Sequence, residues 1–141
     1  MMAVGQRARN FKLISDENVT RVTMLNGSTA LEEGDMVTIA GGVLVEVADS
    51  NTVGAVGICA QDIAASVYGT VYTGGKYTGT ADTGVNFALG DKVYNSSATK
   101  LDAGTASDIA VGKVVDVDPA SAGTVTFLLW SVLNQDITAH A

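Results

Sequence analysis

One histidine, one cysteine and one proline in 141 residues leave this chain short of the usual equipment for chemistry. The histidine, His140, stands beside the last residue of the sequence, where packing rarely holds a general base in position. One histidine and one cysteine are too few for a zinc site of the usual nitrogen–sulfur kind within one chain. Cys59 can form no intrachain disulfide. Set in the apolar run Val56-Gly57-Ile58-Cys59-Ala60, it reads as a small core residue, made in a reducing cytoplasm.

Aromatic residues are scarce at 6%, too few to furnish a sugar-stacking cleft. No apolar run approaches the about 18 residues of a membrane-spanning helix. The basic cluster from Arg7 to Lys12 interrupts any apolar core of a signal peptide. Gly54-Ala55-Val56-Gly57 lacks the lysine, the glycine spacing and the following helix of a phosphate-binding loop. No cofactor is expected.

Charge is also sparse. Charged residues make up 16% of the chain, against about 25% in an average soluble domain. Either part of the surface is covered by oligomer or partner contacts, or it is rich in serine, threonine and asparagine. The net charge of −7 is unevenly spread. Up to Arg21 there are four basic residues (Arg7, Arg9, Lys12, Arg21) against Asp16 and Glu17; beyond it four lysines face thirteen carboxylates. So acidic a body repels nucleic acid and anionic membranes, and neither is expected as a partner.

What the chain does have is glycine, sixteen of them, and β-branched residues between turn signals that recur roughly every 8–12 residues. No window carries a sustained 3.6-residue period. The expected fold is all-β, a small barrel- or sandwich-like domain over 19–130, with an extended N-terminal arm at 1–18 and a short C-terminal tail at 131–141. Strands are expected near 19–25, ending at the hairpin-type dipeptide Asn26-Gly27, and at 36–39 and 43–47 around Gly41-Gly42. Others are expected at 52–60, 66–73, 92–95, 110–117 and 124–130. Gly74-Gly75 reads as a turn, and 77–84, rich in glycine and threonine, as a loop.

Two carboxylate groups and one serine need weighing. Glu32-Glu33-Gly34-Asp35 and Asp116-Val117-Asp118 offer oxygen ligands to a hard cation. Each lies beside a turn, however, where acidic side chains serve local hydrogen bonding. Ser97-Ala98-Thr99-Lys100 has the Ser-x-x-Lys spacing of serine β-lactam enzymes, which a helix must bring onto one face. Here it follows a strand and reads as a hairpin loop, so an enzyme is not expected.

One phrase occurs twice. Leu31-Glu32-Glu33-Gly34-Asp35-Met36-Val37-Thr38 is answered by Phe87-Ala88-Leu89-Gly90-Asp91-Lys92-Val93-Tyr94. Val56-Gly57-Ile58 follows the first and Val111-Gly112-Lys113-Val114 the second. Turn and strand residues repeated at nearly constant spacing predict a β body built from two related halves.

The second phrase, with Lys100-Leu101 and Ile109-Ala110-Val111-Gly112-Lys113-Val114 after it, resembles the capsid decoration, or cement, proteins of tailed bacteriophages. Gly34-Asp35-Met36-Val37-Thr38 and Val56-Gly57-Ile58 resemble the first half of the same pattern, so the resemblance covers about Leu31 to Trp130. It implies a homotrimer made in the host cytoplasm. That trimer would sit on the outer surface of the virion capsid, bind the major capsid protein and stabilise the shell, with no catalytic residues. Arg7, Arg9 and Lys12 are the candidate contacts to capsid or neighbour, with Phe11 as apolar anchor. The alternative expectation is a binding module of a head or tail fibre that recognises host surface glycans.

Overall fold

The computed structural model describes residues 11–15, 19–47, 54–82, 84–103, 109–117 and 123–134. Among the described residues the chain is all-β, with one 3-10 turn at Val132–Asn134 and no α-helix. Eleven strands among the described residues form two antiparallel sheets. The first holds β2 (Thr20–Leu25), β3 (Met36–Ala40), β4 (Val43–Glu46), β5 (Gly57–Cys59) and β6 (Tyr68–Thr73), in the order β2-β6-β5-β3-β4. The second holds β1 (Lys12–Ser15), β7 (Lys76–Thr80), β8 (Lys92–Asn95), β9 (Leu101–Asp102), β10 (Gly112–Val117) and β11 (Thr124–Leu129), in the order β1-β7-β11-β10-β8-β9.

These two orders are the same order. With β1 set aside, β2-β6-β5-β3-β4 maps strand for strand onto β7-β11-β10-β8-β9. The pairings agree residue by residue: Val37 lies opposite Gly57 as Val93 lies opposite Gly112. Likewise Cys59 faces Val71 as Val114 faces Phe127. The duplication read from two short phrases therefore runs through whole sheets.

The repeated phrase shows why it repeats. In each copy the aspartate N–H donates to the carbonyl three residues back, Asp35 to Glu32 at 3.0 Å and Asp91 to Ala88 at 3.1 Å. The same aspartate's carboxylate accepts from that residue's N–H, at 2.9 Å from Glu32 and 2.8 Å from Ala88. The third residue of each turn is at φ near 90°, a left-handed conformation that costs glycine little: Gly34 at 90° and Gly90 at 88°. Each turn is then tied to the Val-Gly strand, by Gly34 N–H to Cys59 O and by Gly90 N–H to Val114 O, both 2.9 Å.

Each sheet curls until its ends approach. A parallel bridge between Asn26 and Leu44 joins the end of β2 to β4, and one between Ala81 and Leu101 joins the end of β7 to β9. Inside the first curl Leu31, Val37, Leu44, Cys59, Ile63 and Val71 form a small core. The larger core lies in the second curl and extends to the back of the first sheet, where Met36 and Ile58 belong to it. The matching positions of the second sheet are Lys92 and Lys113, paired with each other and exposed to solvent. That difference in polarity distinguishes the two related sheets. Only the first has an apolar back to bury.

Two expectations are corrected. Residues 77–80 of the expected loop belong to β7, a central strand between β1 and β11; Tyr77 and Gly79 face inward and Thr78 and Thr80 do not. Gly74-Gly75 turns the chain as expected and carries it from one sheet to the other, with both glycines at positive φ. Asn26-Gly27 is no hairpin turn, because β2 pairs with β6. Asn26 is instead buried, its amide donating to the carbonyls of Thr29, Ile63 and Ala64.

Candidate interaction surfaces

Among the described residues, Ser97, Asp35 and Asp116, weighed for chemistry, are engaged in local hydrogen bonds. Ser97 Oγ accepts from the N–H of Thr99 at 3.2 Å and lies 3.3 Å from the Thr99 hydroxyl. Ser96 N–H donates to Lys100 O at 3.0 Å, closing the loop between β8 and β9. The segment has no helix to align serine with lysine. Asp116 accepts from the N–H of Val117 at 2.9 Å, and Asp118 lies outside the described residues. No group of three or more His, Cys, Asp or Glu able to hold a metal occurs among the described residues. Burial, with Asp35, Glu46 and Asp62 nearby, pushes the Cys59 thiol up to about 12, which keeps it protonated and unreactive near neutrality. Burial likewise raises the Tyr77 phenol, whose O–H donates to Gly74 O at 2.7 Å and braces the corner between the sheets.

The candidate contact residues lie in different places. Arg7 and Arg9 lie outside the described residues. Lys12 opens β1 and is exposed. Phe11 is 3% exposed and packs edge-on against Phe127, ring centroids 5.5 Å apart, inside the second curl. Its N–H donates to Gly34 O at 3.2 Å, linking it to the first repeated turn. Sequence reasoning did not foresee β1, which pairs with β7 through Lys12 opposite Thr78 and Leu13 opposite Tyr77. A four-residue strand whose partner had been read as a loop gives too little alternation to detect.

Three exposed apolar residues, Ile39, Val67 and Tyr68, stand about the first curl, with Tyr68 66% exposed. Ile39 and Tyr68 border a cleft of about 300 Å³ between β2 and β4, lined also by Val22, Met24, Val43 and Leu44. Arg21, exposed on β2, lies over the Tyr72 ring at 5.2 Å. Sequence periodicity could not find this cleft, since it follows from how far the sheet closes.

A family model described as phage cement protein matches residues 14–129. No curated protein and no solved structure matches the chain.

Proposed function

The chain belongs to the phage cement protein family, and on that premise we propose that it binds the outside of a phage head as a homotrimer and stabilises the shell. A cement protein is a structural component associated with the virion capsid. The observation that carries the reading is the extent of the match, which runs from Ile14 in β1 to Leu129 at the end of β11 and so takes in both halves. The sparse charge supports covered surface. Three linked contacts from a trimer would add avidity that one subunit lacks, and binding to the closed shell stabilises it by mass action.

Arg7, Arg9 and Lys12 are proposed to contact the major capsid protein or a neighbouring subunit. In this reading Phe11 anchors the basic segment to its own body, and so sets where that segment leaves the β domain. The test is co-sedimentation with heads that lack the protein, alongside light scattering of the free chain. A trimer that sediments with heads is expected, and heads that bind it should resist heat better than bare ones. A monomer with no affinity for heads overturns the reading. Removing residues 1–10, which spares Phe11 and β1, should weaken binding at least tenfold; equal binding would remove the role of Arg7 and Arg9.

A further inference from the structure

The two halves also differ along one edge. In the second half, β1 lies along the outer edge of β7, and Phe11 fills the core beside it. Gly79 makes the room, since a Cβ there would stand 2.9 Å from Leu101 Cδ1 and 3.0 Å from the Phe11 ring. In the first half, β2 occupies the place of β7, yet no strand lies on its outer edge among the described residues. The position matching Gly79 holds Met24, half-buried against the small core. Beyond Met24 the seam between β2 and β4 stays open as the 300 Å³ cleft. It is pinned shut at one end by the Asn26–Leu44 bridge, as the other seam is pinned by Ala81–Leu101.

We propose that this seam receives an extended segment of the major capsid protein, which adds a strand to the edge of β2 and inserts a bulky apolar side chain into the cleft. The proposal rests on the cement reading and names the surface that serves it. Its chemistry is taken from the half where the seat is filled: main-chain pairing along an edge strand and one apolar plug. The cleft has the volume for one or two side chains and lies at the bottom of the range for small-molecule sites. Its lining combines Val22, Met24, Ile39, Val43 and Leu44 with Thr23 and Gly42, which suits an apolar side chain carried on an extended main chain. Met24 is the adaptable element, since an unbranched thioether can move aside for an incoming ring. Phe11–Ser15, the described segment with this chemistry, is already seated in its own second half, and the partner with which a cement protein associates is the capsid.

The experiment uses the full chain and heads of its own phage purified without it. Thr23→Cys, at an exposed position on β2, carries a thiol-linked photocrosslinker; Cys59 is buried and does not compete for the label. After binding and irradiation, crosslinks to one short stretch of the major capsid protein are expected. A companion variant, Ile39→Asp with Tyr68→Asp, should bind heads at least tenfold more weakly with an unchanged unfolding midpoint. Head binding with no crosslink, crosslinks only to another copy of this chain, or full affinity of the double variant overturns the seam proposal and leaves the cement reading standing. Failure of the unaltered chain to bind heads overturns the cement reading itself, and the proposed occupant with it.

Discussion

At the scale of single residues, two glycines carry more of the fold than their size suggests. A Cβ at Gly57 would lie 2.1 Å from Tyr72 O, and one at Gly112 would lie 2.3 Å from Leu128 O. Both clashes are with backbone of the adjacent strand, which cannot yield without breaking a ladder. Gly57→Ala or Gly112→Ala should cost on the order of 3 kcal/mol or more, measured by urea unfolding. Gly90→Ala has open space around it and costs only its positive φ, about 1 kcal/mol. Were Gly57→Ala as mild as Gly90→Ala, the sheets would be packed more loosely than described. Cys59 and Tyr77 give a second residue-scale expectation. Both groups are held protonated by burial, so their contribution is complete below the ordinary values and is lost as pH rises through the raised ones. For Cys59 that window runs from 9.0 to about 12. Unfolding free energy should therefore fall above pH 9, and Cys59→Val should remove a slope of roughly 1.4 kcal/mol per pH unit. An identical slope in the variant would mean that the thiol is not buried.

At the scale of elements, the sequence announced the strands that alternate and hid those that do not. Met36–Ala40 and Val43–Glu46 around Gly41-Gly42 were legible from β-branched residues flanking a glycine turn. Gly112–Val117 and Thr124–Leu129 were legible in the same way. β7 was hidden because its inward positions are Tyr77 and Gly79, and a glycine inward looks like a turn. The reason for that glycine is Leu101 and Phe11, each more than twenty residues away, which local pattern cannot reveal. β1 and the cleft were hidden together, since each depends on which edges the sheets leave open. If Phe11 is what fixes β1, Phe11→Ala should destabilise the chain by about 3–5 kcal/mol. Hydrogen exchange should then speed up first in Lys12–Ser15 and next along β7. Fast exchange confined to β1, with unchanged stability, would mean that the ring is not part of the core.

At the scale of the whole molecule, duplication would allow two independent halves, and the packing argues against it. The larger core takes Met36, Val47, Ala55 and Ile58 from the first half and Val93, Leu101, Val114 and Phe127 from the second. Hydrogen bonds cross as well: Met36 N–H donates to Ala98 O at 2.8 Å, and Val132 N–H to Ala55 O at 2.8 Å. Neither half can keep its buried face without the other, so unfolding should be a single transition. Trp130, whose backbone N–H donates to Val111 O at 2.9 Å, reports on the second half by fluorescence, while circular dichroism reports on both. Val37 belongs to the small core of the first half alone. Val37→Ala should cost about 1–3 kcal/mol and shift the fluorescence and dichroism midpoints in urea by the same amount. A fluorescence midpoint that stays in place while the dichroism moves would show two halves folding separately. It would also remove the basis for reading the second half's filled seam as a guide to the first's.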